Sequence, residues 1–215
     1  LITTGGSGGH VIPATILYDH LLKETNVLIT TDKRGLKYLD KNNYKFEIID
    51  TPRLNHVFLL PFNFFFILFL TIKSLFLLKD KKIQKVFSTG GYMSLPIIFA
   101  ARLLKLNIYL IEPNLILGRA NKYFLNFCKK IFCYTNEIKN FPENFRNKKV
   151  TINPLVKEHI YKLRSSNDFK EKFTLLVVGG SQGANIFDSN LKNSIVNISK
   201  IFPIRIFHQT SKKNI

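Results

Sequence analysis

Acidic side chains are scarce in this chain, 14 against 32 lysines and arginines in 215 residues, giving a formal net charge of +18. No Asp-x-Asp pair occurs, which argues against a metal-held sugar nucleotide. No Gly-Lys-Ser/Thr is present, which excludes the ATP-type phosphate loop. Cysteine is limited to Cys128 and Cys133. Their spacing suits neither a disulfide framework nor a zinc site and reads as two buried thiols in a reducing compartment. No signal-peptide pattern is visible.

The charge comes mostly from lysine, and lysine, asparagine, isoleucine and phenylalanine are abundant together, as compositional bias makes them. It is therefore not read as a nucleic-acid signature, and no nucleic-acid partner is expected; attraction to anionic lipid stays open. Hydrophobic residues make up 46%, enough for the core of one large domain, or of one and part of a second. The chain starts at Leu1 inside a first strand and stops just after another, which predicts truncation at both ends.

Apolar runs alternate with helical patterns. Strands are predicted at 1–4, 27–31, 46–50, 85–88, 108–111, 130–134, 149–152, 174–178 and 204–209, and helices at 13–23, 95–104, 118–128 and 184–200. Strands separated by helices of about a dozen residues imply an α/β fold with a parallel sheet covered on both faces. The polar stretch KLRSSNDFKEK, 162–172, reads as a linker between a first domain, 1–161, and the start of a second, 173–215. The segment VFLLPFNFFFILFLTIKSLFLL, 57–78, stands apart. Its uncharged run of sixteen residues is short for a span, and Pro61, Asn63 and Lys73 interrupt it. An interfacial or partly buried helix fits better.

Three glycine pairs fall at the carboxyl ends of predicted strands: Gly5-Gly6-Ser7-Gly8-Gly9, Gly90-Gly91-Tyr92 and Gly179-Gly180-Ser181-Gln182-Gly183. Glycine lets backbone N–H groups approach a phosphate, and the following helix N-terminus adds positive partial charge. Three such loops on one sheet edge point to a phosphate- or diphosphate-bearing ligand. Asp32 ends the second strand, where a ribose-binding carboxylate belongs, yet the third glycine of the dinucleotide fingerprint is missing. His10 lies at the rim of the first loop, just before Pro13. A helix N-terminus disfavours the imidazolium, so a neutral imidazole is expected there, a general base beside a diphosphate.

Taken together and in order, GGSGGHVIPA, FSTGGYMSLP, IEPNLILGRANKYF and VVGGSQGA resemble the MurG family over nearly the whole chain. The resemblance implies a two-domain glycosyltransferase of type B, each domain Rossmann-like, with the second incomplete here. It implies transfer of N-acetylglucosamine from UDP-N-acetylglucosamine to membrane-bound lipid I, giving lipid II for peptidoglycan, at the cytoplasmic face of the plasma membrane. No cofactor or metal is implied. Residue by residue, it implies that Ser7, Gly8 and Gly9 form a diphosphate loop and that His10 activates the acceptor hydroxyl. Gly90, Gly91 and Tyr92 match the middle, acceptor-side loop. Asn114 lies against the donor sugar, Glu112 matches the glutamate beside it, and Gly180, Ser181, Gln182 and Gly183 lie close to the UDP phosphates. The segment 57–78 falls where the family faces the membrane.

The sequence departs from that pattern at Ile111 and Pro113, where the family has histidine and glutamine, and at Leu95, where it has glycine. The arginine that helps hold the nucleotide is absent, and Lys157, one residue late, is the nearest cation. A non-catalytic remnant, or half of a split transferase that binds membrane or lipid diphosphate, is the alternative reading.

Overall fold

The computed structural model describes residues 1–52, 60–161, 173–179 and 185–210. They form two compact units, Leu1–Lys157 and Glu158–Ile215. This division falls four residues before the end expected for the first domain, because the short helix at Glu158–Tyr161 groups with the second unit. The expected linker, 162–172, lies outside the described residues.

The first unit is one parallel sheet of seven strands: β1 (Ile2–Thr3), β2 (Ile29–Thr31), β3 (Phe46–Ile48), β4 (Lys85–Ser88), β5 (Asn107–Glu112), β6 (Lys130–Cys133) and β7 (Lys149–Thr151). Their order in the sheet is β3-β2-β1-β4-β5-β6-β7, every neighbour parallel. The connections are helical: α1 (Gly8–Leu21), α2 (Leu60–Asp80), α3 (Leu95–Leu103) and α4 (Arg119–Phe124). Strand order reverses between β1 and β4. In an open parallel sheet that reversal leaves a crevice at the carboxyl ends, because the loops leaving the two strands turn to opposite faces.

The strand pleat builds a core on each face. Leu1 and Val86 join a cluster with Ile97, Ile98, Ile108 and Leu110. Their chain neighbours Ile2 and Phe87 pack instead with Val11, Ala14, Tyr18 and Ile29. That alternation is the period of two imposed by the backbone, and each fully buried aliphatic side chain contributes about 1.5–3 kcal/mol.

All strands expected in the first unit form, within a residue or two at their ends. The first helix differs. It was expected from residue 13 but starts at Gly8, with Ser7 as an extended N-cap residue and Pro13 in its interior. The first N–H groups of a helix need no intrahelical partner, so Gly8 and Gly9 enter the first turn without losing hydrogen bonds. Consequently His10 stands within the first turn of α1 rather than ahead of it.

Helix α2 runs opposite to ordinary amphipathic logic. The inward side, which includes the contact with α3, carries Asn63, Leu70, Thr71, Ser74 and Leu78, all buried. Thr71 and Ser74 satisfy their hydroxyls on the carbonyls of Ile67 and Leu70, four residues back. The solvent side carries Phe62, Phe65, Phe69, Ile72 and Phe76, at helical spacing and exposed. By length and composition alone, Phe62–Asp80 could cross a membrane; its packing against α3 occupies one side of it.

In the second unit, the short helix Glu158–Tyr161 (α5) precedes a parallel pair, β8 (Phe173–Val177) and β9 (Ile204–His208), joined through α6 (Asn185–Ser199). Among the described residues, Phe173, Leu176, Ile201, Phe202 and Phe207 stay exposed, as expected of two strands served by one helix.

Candidate active site

The crevice between β1 and β4 gathers the first two glycine loops. After β1 come Ser7, Gly8, Gly9 and His10; after β4 come Thr89, Gly90, Gly91 and Tyr92. The loops touch at His10, whose Nδ1 lies 2.7 Å from the carbonyl oxygen of Thr89. A carbonyl only accepts, so Nδ1 carries the hydrogen, and in the neutral ring Nε2 keeps the lone pair. The Thr89 carbonyl is itself held: the Thr89 N–H donates to Thr3 (3.2 Å) and its hydroxyl to the buried hydroxyl of Thr4 (2.8 Å).

Met93 packs under both loops. Gly6 (φ +75°) and Gly91 (φ +86°) both adopt backbone that side chains avoid, and a Cβ on either would strike the Met93 side chain. Thr89 and Met93 lie within the FSTGGYMSLP motif, but no role was expected of either; theirs comes from strand adjacency.

Asp32 is fully buried and turned inward. Its Oδ1 accepts from the Gly6 N–H at 2.8 Å and the Gly35 N–H at 2.9 Å. Its Oδ2 accepts from Arg34 Nε at 2.8 Å and pairs with Arg34 Nη2. These donors occupy both carboxylate oxygens, which leaves the group unsuited to the ribose role that its strand position suggested. Partial burial works against the Arg34 charge, but the hydrogen bonds and charge of Asp32 outweigh it and raise the Arg34 pKa.

The third loop follows β5. Glu112, 2% exposed, accepts the backbone and side-chain N–H groups of Asn114 on Oε1 (3.2 and 2.8 Å). Its Oε2 accepts from the Gly118 N–H (2.8 Å) and Asn121 Nδ2 (3.0 Å). Asn121 lies directly beside Gly90: a Cβ on that glycine would come within 3.1 Å of Asn121 Nδ2. The β5 loop thus abuts the β4 loop, and Asn114 is fixed by Glu112. Pro113 sits between them without disturbing these bonds, since proline lacks only a donor that this carboxylate does not need. Leu95 opens α3 and packs against the apolar core, so its side chain is absorbed by packing.

Lys157 is exposed at the end of the first unit, and among the described residues no hydrogen bond or ion pair joins it to these loops. Gly180, Ser181, Gln182 and Gly183 lie outside the described residues, and β8, the strand before them, belongs to a separate sheet, so the three glycine loops do not share the one sheet edge expected of them.

The model of the glycosyltransferase family 28 N-terminal domain matches residues 1–133, more than half of the chain and all three of these loops. The chain belongs to glycosyltransferase family 28. A relative from Pelagibacter ubique, a UDP-N-acetylglucosamine–N-acetylmuramyl-(pentapeptide) pyrophosphoryl-undecaprenol N-acetylglucosamine transferase, is 46% identical over all 215 residues. One of the same name from Rickettsia felis is 35% identical over 205 residues, 91% of this chain. The chain spans 60% and 56% of the lengths of these two proteins. Among solved structures, Acinetobacter baumannii MurG superimposes with a TM-score of 0.72 at 24% identity, covering 99% of this chain and 61% of that one. That likeness agrees with the parallel α/β fold described above.

Proposed function

We propose that this chain is the acceptor-side portion, with the beginning of the donor side, of an inverting transferase. The reaction moves N-acetylglucosamine from UDP-N-acetylglucosamine to lipid I, giving lipid II for peptidoglycan synthesis. The observation that carries the reading is His10, pinned through Nδ1 with Nε2 available, in the crevice between two glycine loops. The names of the 46% and 35% identical relatives support the donor and acceptor.

In this scheme the acceptor sugar's hydroxyl is oriented near His10 Nε2, with its diphosphate against Gly8, Gly9 and the start of α1. As the hydroxyl oxygen attacks the anomeric carbon of the donor, its proton passes to Nε2. The bond to the UDP oxygen breaks with its electron pair on UDP. The departing negative charge is met by backbone N–H groups, which need no reorganisation at that moment. Asn114, fixed by Glu112, faces the donor sugar, and Gly90, Gly91 and Tyr92 line the acceptor side. Lys157 and the loop Gly180-Ser181-Gln182-Gly183 serve the nucleotide phosphates.

The same reading sets the enzyme on the cytoplasmic face of the plasma membrane as a peripheral protein, using the aromatic side of α2. Such an exposed apolar face, with Lys73 and Lys79 on the same helix, suits an anionic lipid surface.

The test is turnover with UDP-N-acetylglucosamine and lipid I by the full-length protein whose frame contains this chain. His10→Ala is expected to lower kcat by about 10²–10⁴-fold. Near-normal turnover in that variant removes His10 from the role. Absence of any transfer by the wild-type protein, with UDP binding also absent, overturns the reading as a whole.

A further inference from the structure

No step above uses Asp32, yet it is fully buried beside the first glycine loop and accepts from Gly6, Gly35 and Arg34. It holds Gly6 of the first glycine loop through Oδ1 and Arg34 through Oδ2. The Arg34 guanidinium lies over the ring of Tyr92, 5.1 Å from its centroid, and Tyr92 directly follows the second glycine pair. One chain of contacts, Gly6 to Asp32 to Arg34 to Tyr92, therefore ties together the two loops between which His10 is held. The tie is stiff: a carboxylate against a planar guanidinium fork leaves little freedom at either end. Stability alone does not call for it, since apolar side chains of similar volume often serve a buried position as well as an ion pair.

We propose that Asp32 and Arg34 are positioning residues for the transfer step: they set the separation of the two glycine loops and, with it, the aim of His10 Nε2 at the acceptor. The proposal rests on His10 being the base.

Three variants of the full-length transferase test it: Asp32→Asn, Arg34→Gln, and the two combined. In Asp32→Asn the amide oxygen still accepts from Gly6 and Gly35, but its N–H₂ confronts the Arg34 donors. In the double variant that N–H₂ can donate to the introduced glutamine oxygen, which relieves the clash of donors but leaves no guanidinium over the Tyr92 ring. Misplacing a reacting group by about 1 Å costs on the order of 10²-fold, so Asp32→Asn is expected to lower kcat by about that factor. The KM for UDP-N-acetylglucosamine should change by less than about threefold, since the donor's own contacts are untouched. The double variant should stay as slow in kcat as Arg34→Gln, because the contact with Tyr92 is missing from both.

A kcat for Asp32→Asn within about twofold of wild type overturns the proposal. So does a kcat for the double variant within about twofold of wild type, since relief of the donor clash alone would then account for the loss in Asp32→Asn. If Asp32→Asn does not fold, Arg34→Gln decides, because that side chain is 29% exposed and its loss leaves the Gly6 and Gly35 bonds in place. A drop in its kcat with a near-normal donor KM supports the proposal, and an unchanged kcat overturns it. His10→Ala separates this from the reading beneath it. If His10→Ala is inactive and the Asp32 and Arg34 variants are unimpaired, only the present proposal falls. If His10→Ala is fully active, the base assignment has failed and His10 is not what the tie aims.

Discussion

His10 Nδ1 and the Thr89 carbonyl oxygen, 79 residues apart in the chain, meet at 2.7 Å across the reversal of strand order in the sheet. The bond fixes which imidazole nitrogen faces the crevice. In neutral His10 the hydrogen should therefore reside on Nδ1. Long-range ¹⁵N–¹H correlation spectra of the neutral imidazole check this. A dominant Nε2–H form would mean that the nitrogen facing the acceptor cannot accept a proton, and the base assignment would fall with it.

Glu112 accepts four N–H bonds with two oxygens while almost fully buried. Glu112→Gln replaces one acceptor with a donor facing donors. The expected cost is about 1–3 kcal/mol of folding stability, measured by urea unfolding. Because Asn114 loses its anchor, its proposed donor role predicts that affinity of the full-length protein for UDP-N-acetylglucosamine falls too, as read by calorimetry. Unchanged stability would show that the loop has another acceptor for these groups.

Gly6→Ala places a Cβ about 2.5 Å from Met93 Cε at a φ of +75°. The backbone strain costs about 1–3 kcal/mol, and the clash adds to it. Combining Gly6→Ala with Met93→Ala removes the clash but not the strain. The double variant should then be less destabilised than the sum of the two single changes. Strict additivity in thermal unfolding would separate Met93 from the loop.

Phe65 and Phe69 are 68% and 61% exposed on the outer side of α2. Changing Phe65, Phe69 and Phe76 together to serine should leave stability within about 0.5 kcal/mol, since none of them serves the core. Sedimentation with anionic lipid vesicles should weaken by about tenfold or more, given the burial value of even one phenylalanine. Equal vesicle binding would remove α2 from the proposed membrane contact.

Burial, reinforced by the charge of Glu112, lifts the Cys133 thiol from its ordinary 9 to about 11. The folded state then holds this proton between about pH 9 and 11 while the unfolded chain has released it. Stability from the neutral thiol is complete below about pH 9 and is lost as pH rises through about 11. Cys133→Ala should accordingly lose less stability than the wild type between those values in parallel urea titrations. Identical pH profiles would show that the thiol is not buried as described.

The sequence by itself determined the alternation of strands and helices, the glycine loops at strand ends, and His10 at the rim of the first loop. These are local matters: period-two apolar runs make strands, and glycine marks where the backbone must turn tightly or come close to a ligand. It also marked 57–78 as unusual, because an apolar run backed by lysines is visible without any fold. Strand order belonged to the tertiary structure, and with it the meeting of the β1 and β4 loops. Asp32 shows the difference most clearly. Its place at the end of β2 suggested a ribose ligand, but a carboxylate satisfies whichever N–H groups packing brings to it, and here those are Gly6, Gly35 and Arg34. The helix start moved in the same way: Gly8 and Gly9 have poor intrinsic helix propensity, yet a first turn held between two strand loops tolerates them. Contacts between residues tens of positions apart leave no periodicity in the chain, so Thr89, Met93 and Arg34 became parts of the site only once the sheet had set them side by side.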